Sequence, residues 1–505
     1  MSRWTPDPSV TPSVDSHRVA SAQDETVSEC SASGSRQDSL LSENTDTRVD
    51  WHLCFIIRAR LSSRSYRWLL HVISFKPYEL NVCIRMTQNL DRRSVVKAMG
   101  VAGIAGVAGC TGGGDGGDSG DGGDGGSMDG RTLKQGVLLP LTGDLGSLGK
   151  PIRDGAILPQ AQLEGETQFT IDIEEQDTET NPQAGIQGAN TLVNNGYPAI
   201  TGTASSGVNL QVTREVLIPN STVGCSPSST SPEVTTLEDD DYVFRTAPSD
   251  ALQGQVIAQV GSEQLGNTSA VTMYVNNSYG QALSQSFAEA FEERDGTVTQ
   301  QVAFQKEQSS YSAQLETALG DSPDMMVVIG YPASGIQLFR DYYSQYDSGQ
   351  DIVVTDGLIE NDLPDNVDSD MANVTGTAPK ASGPGSDAFS SLYNDEYGRD
   401  PGVFNAQAYD ATAISLLANV YAGENNGEAV RDSFRQAANP EGETFGPESL
   451  ADAIAAAAAG DAINYQGASS ACNFDENGDM GAVSYGISEV EDRDFTETDS
   501  VAFGQ

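Results

Sequence analysis

Strand-like and helix-like segments alternate from Arg131 onward, and this alternation restricts the fold more than any other feature of the sequence. Short aliphatic and β-branched runs predict strands, as in SAVTMYV at 269–275. Apolar residues that recur every four positions, as at Leu283, Phe287 and Phe291, predict amphipathic helices. Because strands and helices alternate, we expect βαβ units, and hence an α/β fold with largely parallel sheets and helices on both faces.

Longer helical patterns and a turn motif follow towards the end of the chain. The helical patterns cover 405–423 and 448–460. The later strand patterns are separated by DENGD at 475–479, whose Asn-Gly pair is typical of a tight hairpin turn. The motif faintly resembles a calcium-binding loop, but the glutamate that such a loop needs at a later position is missing. We therefore interpret it as a hairpin turn.

Charge divides the chain at Cys110. The sequence has 27 Lys and Arg against 72 Asp and Glu, and the acidic excess lies after this cysteine. Such an acidic body repels nucleic acid and anionic lipid, so we expect neither as a partner. High net charge keeps proteins soluble in concentrated salt, which indicates an extreme halophile. Disorder is the other explanation of such a charge, but the regular apolar runs indicate a folded body.

The segment that ends at Cys110 has the pattern of an export signal. In DRRSVVKAMGVAGIAGVAGC, Arg92 and Arg93 precede a Gly- and Ala-rich apolar run that is too short to span a membrane. Residues 86–110 resemble a twin-arginine lipoprotein signal, in which Cys110 would carry the lipid. The protein would then stand on the extracytoplasmic face of the cell membrane, attached only by its lipid.

The segments on either side of this signal are expected to lack structure. Twin-arginine signals lie at the start of a protein, so we expect translation to begin at Met86 and residues 1–85 to be a disordered overextension. The Gly/Asp-rich residues 111–130 predict a flexible tether with a reach of roughly 25 Å. Calcium-binding nonapeptide repeats need an apolar residue in each repeat, which the tether does not have.

The positions of histidine and cysteine limit the chemistry of the acidic body. The three histidines, His17, His52 and His71, all precede Met86. The body therefore has neither a histidine-activated nucleophile nor a histidine-ligated metal. The cysteines from position 110 onward do not have zinc-site spacing. Catalysis by carboxylates alone remains formally open, but we expect no enzyme activity, no cofactor and no metal.

A series of motifs after Arg131 resembles one protein family. The chain contains GVLLPLTGDLGSLGKPIRDGA, ITGTASSGVNL, VGCSPSSTSPEVT, YVFRTAPSD, YVNNSYGQAL, VVIGYPASG and YQGASSACNFDENGD, in this order. Each motif alone is weak, but their order and spacing resemble the type I periplasmic solute-binding proteins. The likeness is to the branched-chain amino-acid-binding receptors of ABC importers, and it covers about 131–490.

The resemblance implies two Rossmann-like α/β lobes joined by three hinge crossings. Lobe 1 would comprise residues 131–247 and 377–460, and lobe 2 residues 248–376 and 461–505. A small ligand would bind in the cleft at the carboxyl ends of the strands, and the lobes would close over it.

The resemblance also implies which hydroxyl groups receive the ligand's carboxylate. Ser205 and Thr230 match the family's ligand-binding positions, and Ser206, Ser228 and Ser229 lie near them in the sequence. Hydroxyl groups and backbone N–H groups are suitable donors to a carboxylate. The simpler explanation of these serines and threonines is ordinary capping of helices.

The opposite wall of the cleft would receive the ligand's ammonium group. Asp356 ends a strand where the family has an acidic residue, more often glutamate, and the alternative is a solvated loop residue. Tyr279 and Tyr331 match positions that cover the ligand, and the alternative is two structural tyrosines with bonded hydroxyls. Cys225 and Cys472 fall in different lobes by the same mapping. They are expected either as a disulfide, which an exported protein permits, or as two buried thiols.

Together these features predict a substrate-binding protein that is not an enzyme. Its ligand would be a branched-chain or related amino acid, a short amide or urea, and its partner an ABC permease. The alternative is a sensory binding protein that docks a signal transducer, which would use the same residues. A structural surface protein, the third class, would have no cleft ligand.

Overall fold

The computed structural model describes residues 130–439 and 441–504. The strands are β1 (Thr132–Leu139), β2 (Thr170–Asp177), β3 (Ala199–Gly202), β4 (Val223–Ser226), β5 (Val243–Arg245), β6 (Ser269–Val275), β7 (Thr297–Phe304), β8 (Met325–Ile329), β9 (Asp351–Thr355), β10 (Val374–Pro379), β11 (Glu443–Phe445), β12 (Ile463–Tyr465), β13 (Val483–Glu491) and β14 (Asp494–Phe503). The helices are α1 (Gly146–Leu163), α2 (Pro182–Asn194), α3 (Ser206–Val212), α4 (Asp250–Gln259), α5 (Ser278–Glu292), α6 (Ser312–Ala318), α7 (Pro332–Gln345), α8 (Leu363–Val367), α9 (Ser386–Tyr397), α10 (Asn405–Ala422), α11 (Gly427–Ala438) and α12 (Leu450–Ala459). The predicted strand at 269–275 is β6.

Lobe 1 is built on a parallel five-stranded sheet. Its strand order is β2-β1-β3-β4-β5. Helix α10 packs against α1 and on β1 and β3. Every residue of α10 from Asn405 to Val420 is buried, which explains why its small and apolar residues surround the helix instead of forming one stripe.

Lobe 2 is built on a seven-stranded mixed sheet of order β14-β13-β10-β9-β8-β6-β7. Strands β7, β6, β8, β9 and β10 pair in parallel with their neighbours in the sheet. Strand β13 is antiparallel to β10, and β14 is antiparallel to β13. All five residues of β8, MMVVI, are fully buried, because helices cover both faces of the sheet. Leu283, Phe287 and Phe291 on α5 have no exposed surface, as their spacing predicts. The α/β fold with two lobes is confirmed.

The chain passes between the lobes three times. The first crossing lies at 246–249, between β5 and α4. The expected crossing at 377 falls inside β10, all of which belongs to the second sheet, so the chain leaves lobe 2 only after Pro379. The expected crossing at 461 is also early, because β12 still pairs with β11 and contacts α11 and α12. Pairing with neighbouring strands keeps β10 in lobe 2 and β12 in lobe 1 beyond the predicted boundaries.

The DENGD motif forms the predicted turn. Phe474 and Met480 form an antiparallel bridge on either side of it. The Asp475 carboxylate accepts hydrogen bonds from the backbone N–H groups of Asn477 and Asp479 at 2.8 and 3.0 Å. The carboxylate that a calcium-binding loop would offer as a ligand therefore accepts hydrogen bonds within the turn.

Cys225 and Cys472 are free, buried thiols, so the disulfide that the sequence permitted is not formed. The Cys472 thiol lies 3.5 Å from the Asp410 carboxylate, and burial raises the pKa of both thiols. A buried thiol with a raised pKa is the less reactive form.

Several predictions lie outside the described residues. They concern residues 1–85, the signal at 86–110 with Arg92, Arg93 and Cys110, and the tether up to residue 129. Within the described part of the chain, no helix combines the length and the hydropathy needed to cross a membrane.

Candidate functional site

The residues predicted to bind a ligand lie where strands of both sheets end. Ser205 and Ser206 follow β3, and Ser228 follows β4, in lobe 1. Tyr279, Tyr331 and Asp356 follow β6, β8 and β9 in lobe 2. The carboxyl ends of parallel strands share one edge of a sheet, so the two sheet edges face each other across the cleft.

One cavity contains six of the eight predicted ligand-binding residues. The space between its atoms, including the solvent at its open mouth, is about 340 Å³. Its lining includes Ser205, Ser206, Ser228, Tyr279, Tyr331 and Asp356. Thr230 and Ser229 do not line it. The Ser229 hydroxyl is instead occupied by the Asn209 side-chain amide at 3.2 Å.

Ser205 links the two lobes and does not cap a helix. It precedes α3, but its hydroxyl makes no capping hydrogen bond. The Ser205 Oγ lies 3.0 Å from the Tyr331 hydroxyl, which also accepts a hydrogen bond from Asn277 Nδ2 at 2.9 Å. The simpler explanation of Ser205 as a helix cap is therefore wrong, and its hydroxyl lies between the two walls of the cleft.

Asp356 is buried within the opposite wall. Only 4% of its surface is exposed, so it is not a solvated loop residue. Its Oδ1 accepts a hydrogen bond from the Tyr279 hydroxyl at 3.1 Å, and that hydroxyl lies 2.7 Å from Thr355 Oγ1. Burial raises the pKa of Asp356 to about 6, although hydrogen bonding by Gln253 and Tyr279 opposes the rise.

Tyr279 and Tyr331 lie side by side in this wall. Their rings are nearly parallel, at 8°, with centroids 5.7 Å apart, and both side chains are buried. Both hydroxyls are hydrogen bonded, as expected of structural tyrosines. The Tyr279 hydroxyl nevertheless contacts Asp356, and the Tyr331 hydroxyl contacts Ser205, so the pair connects the polar groups of both walls.

Asp250 is a second buried acid that our sequence analysis did not identify. It is the first residue of α4 and has no exposed surface, and neither carboxylate oxygen has a hydrogen-bond partner. Burial raises the pKa of Asp250 well above its usual range, and the charge of Asp356 raises it further. Aspartate is common in the first turn of helices, so the sequence alone gives no reason to single out Asp250.

Other buried acceptors and hydroxyls near the first crossing have no partner. They are Ser228 Oγ, Thr230 Oγ1 and Gln253 Oε1. Thr230 is adjacent to Asp250, whose backbone N–H donates to the Thr230 carbonyl at 2.8 Å. A buried polar atom without a partner costs about 1–3 kcal/mol. Of these residues Ser228 lines the cavity, so its hydroxyl is available to a ligand there.

The remaining wall of the cavity is apolar. It consists of Pro140, Leu145, Leu148, Ile152, Ala204 and Phe404, together with the glycines of the neighbouring loops. Phe404 has a φ of 66°, a left-handed conformation that is unfavourable for a bulky side chain, and only 2% of its surface is exposed. The motifs do not reveal this wall, because α1 and the start of α10 meet only in the folded lobe.

The cavity has no features of a metal site. Among residues 130–439 and 441–504, no three His, Cys, Asp or Glu side chains are close enough together to hold a metal ion. Asp356 lines the cavity beside the hydroxyls of Ser205, Ser206 and Ser228. The arrangement can thus receive a small molecule with a cationic end, a hydrogen-bonding end and an apolar side.

The family assignment follows from a sequence match that covers both lobes. A family model described as "Periplasmic binding protein" matches residues 132–463. The chain belongs to this family. The match begins at β1 and ends in β12, so it includes every residue that lines the cavity.

This periplasmic binding protein is similar in sequence to several relatives. It is 26% identical over 351 residues to the "Chemotactic signal transduction system substrate-binding protein BasB" of Halobacterium salinarum. The aligned region covers 67% of this chain and 82% of the relative. It is 25% identical over 230 residues to "Leu/Ile/Val-binding protein homolog 3" of Brucella melitensis, which covers 44% of this chain and 60% of the relative.

Solved structures show the same fold for this binding protein. The leucine binding protein LivK of Thermotoga maritima superposes with a TM-score of 0.62 at 24% identity, over 73% of this chain and 98% of that chain. LivJ of Streptococcus pneumoniae in complex with isoleucine superposes with a TM-score of 0.61 at 19% identity, over 74% of this chain and 99% of that chain. A solute binding protein of R. palustris in complex with benzoate gives 0.58 at 18% identity, over 72% and 95%.

Proposed function

We propose that this binding protein takes up an amino acid with an apolar side chain between its lobes and delivers it to an ABC importer. The observation that carries the proposal is the cavity itself, where the buried Asp356 carboxyl, several hydroxyls and an aliphatic wall face one small space. The names of two relatives, a Leu/Ile/Val-binding protein and a leucine binding protein, support the same ligand class.

Each part of an amino acid has a suitable partner in the cavity. The ammonium group would lie beside Asp356, whose ionised form it stabilises. The carboxylate would accept hydrogen bonds from the hydroxyls of Ser205, Ser206 and Ser228.

The side chain would lie against the aliphatic residues of α1, Leu148 and Ile152, and Phe404 at the start of α10. Burial of such a side chain contributes about 1.5–3 kcal/mol. Urea and short amides have nothing to place against this wall, so we propose a branched-chain amino acid over either of them.

A titration of purified protein in molar potassium chloride tests the ligand class. We expect leucine, isoleucine or valine to raise the melting temperature and to bind in calorimetry, whereas urea and benzoate do not. The recovered amino acid should be chemically unchanged, because the proposed role is binding without catalysis. Binding of benzoate but not of any amino acid would contradict the proposal.

The variant Asp356→Ala tests the assignment of the ammonium site. Loss of a charged hydrogen-bond partner costs about 1.5–3 kcal/mol, so affinity should fall roughly 10- to 150-fold. The matched control is Asp395→Ala, which removes an exposed carboxylate from α9 and should leave affinity unchanged. Wild-type affinity in Asp356→Ala would show that the ammonium group binds elsewhere.

A sensory role is the second candidate. It is favoured by the similarity to a chemotactic substrate-binding protein over most of this chain. Deletion of the gene distinguishes the two roles: loss of labelled amino-acid uptake supports transport, and loss of chemotaxis towards the same amino acid with normal uptake supports sensing.

We further propose that the protein is exported by the twin-arginine route and anchored outside the cytoplasm by a lipid on Cys110. The support is the order of Arg92, Arg93, the apolar run and Cys110 in the sequence. In a fractionation experiment, Cys110→Ser should move the protein from the membrane to the medium, and Arg92→Lys with Arg93→Lys should retain it inside the cell. Firm membrane attachment of Cys110→Ser would contradict the anchor.

A further inference from the structure

A carboxylate of lobe 1 caps a helix of lobe 2 at the edge of the cleft. Asp144, in the loop after β1, accepts a hydrogen bond from the backbone N–H of Ser334 at 2.9 Å. The Ser334 Oγ lies 2.9 and 2.8 Å from the two carboxylate oxygens of Asp144. Ser334 is in the first turn of α7, where orphan N–H groups and the helix dipole favour a negative charge.

This contact is buried and is supported on both sides. Asp144 is 2% exposed and Ser334 has no exposed surface. The Ser334 Oγ also accepts a hydrogen bond from the Glu307 N–H at 2.9 Å. Beside it, Lys306 Nζ of lobe 2 donates to the Thr180 carbonyl of lobe 1 at 2.5 Å. The two lobes are thus joined by charged groups on neighbouring loops.

None of these residues lines the ligand cavity. The lining of the ligand cavity contains neither Asp144 nor Ser334, nor Lys306 and Thr180. When the lobes separate, Asp144 and the first turn of α7 must part, since one belongs to each lobe. The contact therefore stabilises the closed conformation whether or not a ligand is bound.

We infer that Asp144 and Ser334 form an interlobe latch, which sets the affinity of the binding protein from outside the ligand site. The inference rests on the proposed function, in which the lobes close over an amino acid. The observed dissociation constant of a protein that binds in one conformation is the intrinsic constant divided by the fraction in that conformation. Loss of the latch lowers the closed fraction and weakens every ligand by the same factor.

The test compares Asp144→Ala with wild type in calorimetric titrations with two amino acids of different size, leucine and valine. We expect roughly tenfold weaker binding of both, with an unchanged ratio of their dissociation constants. Asp144→Asn keeps an acceptor for the Ser334 N–H, so it should lose less affinity than Asp144→Ala. The control Asp395→Ala should behave as wild type.

Small-angle X-ray scattering provides a second measurement that needs no ligand. Ligand-free Asp144→Ala should show a larger radius of gyration than ligand-free wild type, and Ser334→Ala an intermediate one. If Asp144→Ala fails to fold by circular dichroism, Ser334→Ala carries the test. Unchanged affinity and scattering would overturn the latch, and so would an altered leucine-to-valine ratio. If wild type binds no amino acid, the proposed function fails, and the scattering comparison still decides the latch.

Discussion

Asp250 and Asp410 are both fully buried aspartates, and their surroundings differ in almost every respect. Asp410, on α10, accepts hydrogen bonds from the N–H groups of Ala468 and Ser469, from the Ser469 hydroxyl and from the Tyr465 hydroxyl. Asp250 has no partner for either oxygen. A satisfied buried carboxylate stabilises a fold, whereas an unsatisfied one costs stability.

Substitution by asparagine should therefore have opposite effects at these two positions. Asp410→Asn loses acceptor capacity for several donors and should destabilise the protein by about 1–3 kcal/mol. Asp250→Asn replaces a carboxyl whose charged form is disfavoured by burial and by the charge of Asp356, so the ligand-free protein should melt at a higher temperature. Thermal melts without ligand measure both effects, and a lower melting temperature for ligand-free Asp250→Asn would contradict the assignment.

The raised pKa of Asp356 gives ligand binding a defined pH dependence. The carboxyl must be ionised to attract an ammonium group, and its pKa of about 6 means that protonation competes with binding below that pH. Affinity should be constant above about pH 7 and weaken as pH falls through 6, by up to about tenfold per pH unit. Calorimetry from about pH 5 to pH 8 measures the profile.

The stability of the ligand-free protein should follow the opposite trend. A carboxyl whose pKa is raised on folding contributes stability that is complete below its unfolded pKa and is lost as pH rises through its folded pKa. Acidification from pH 7 to pH 5 should thus favour ligand-free wild type relative to Asp356→Asn. Affinity that increases on acidification would contradict the ionised role of Asp356.

Among the elements, strand β5 and the turn at 475–479 form one unit through Arg245. This arginine is fully buried. Its Nε and Nη2 donate to the two carboxylate oxygens of Asp479 at 2.5 and 2.8 Å, and its Nη1 donates to the Ser231 carbonyl at 2.9 Å. Arg245 thereby fixes the serine-rich loop after β4 against the chain that returns to lobe 2.

Loss of one partner of this buried ion pair should be costly. Asp479→Ala leaves the Arg245 charge without its carboxylate, for which we expect a loss of about 3–5 kcal/mol in the free energy of unfolding, measured by denaturant titration. Glu476→Ala, in the same turn, is the control and should change stability little. Equal stabilities of the two variants would show that Asp479 has no structural role.

Sequence patterns predicted the elements of this site better than its contacts. The strand before Asp356, DIVVT, contains a short apolar run whose end could be located from the sequence. Ser205 follows the less apolar strand AITG and was identified by the resemblance of its motif. The sequence analysis missed Asp250 because the lack of hydrogen-bond partners for its carboxylate depends on residues from other segments. The contact of Asp144 with Ser334 joins residues 190 positions apart, and no local pattern encodes such a pairing. The second and third crossings were misplaced because β10 and β12 continue their sheets past the expected boundaries.

For the whole molecule, charge should govern stability. The formal net charge is −45, and self-repulsion of this size opposes a compact state. Salt reduces the Debye length from about 8 Å at 0.15 M to about 3 Å at 1 M, so the melting temperature should rise steeply over this range of potassium chloride. Sucrose of equal osmolality is the control, because it does not screen charge and should stabilise less. A melting temperature independent of salt would contradict this prediction.

The three crossings also govern the order in which this protein can be completed during synthesis. Strand β1 is made early, but its covering helix α10, which is buried from Asn405 to Val420, emerges only after five of the seven strands of the lobe 2 sheet. Contacts of such long sequence separation form slowly and leave apolar sheet surface uncovered in the meantime. An exporter that transports folded proteins, as proposed from Arg92 and Arg93, would allow this slow folding to finish in the cytoplasm before export.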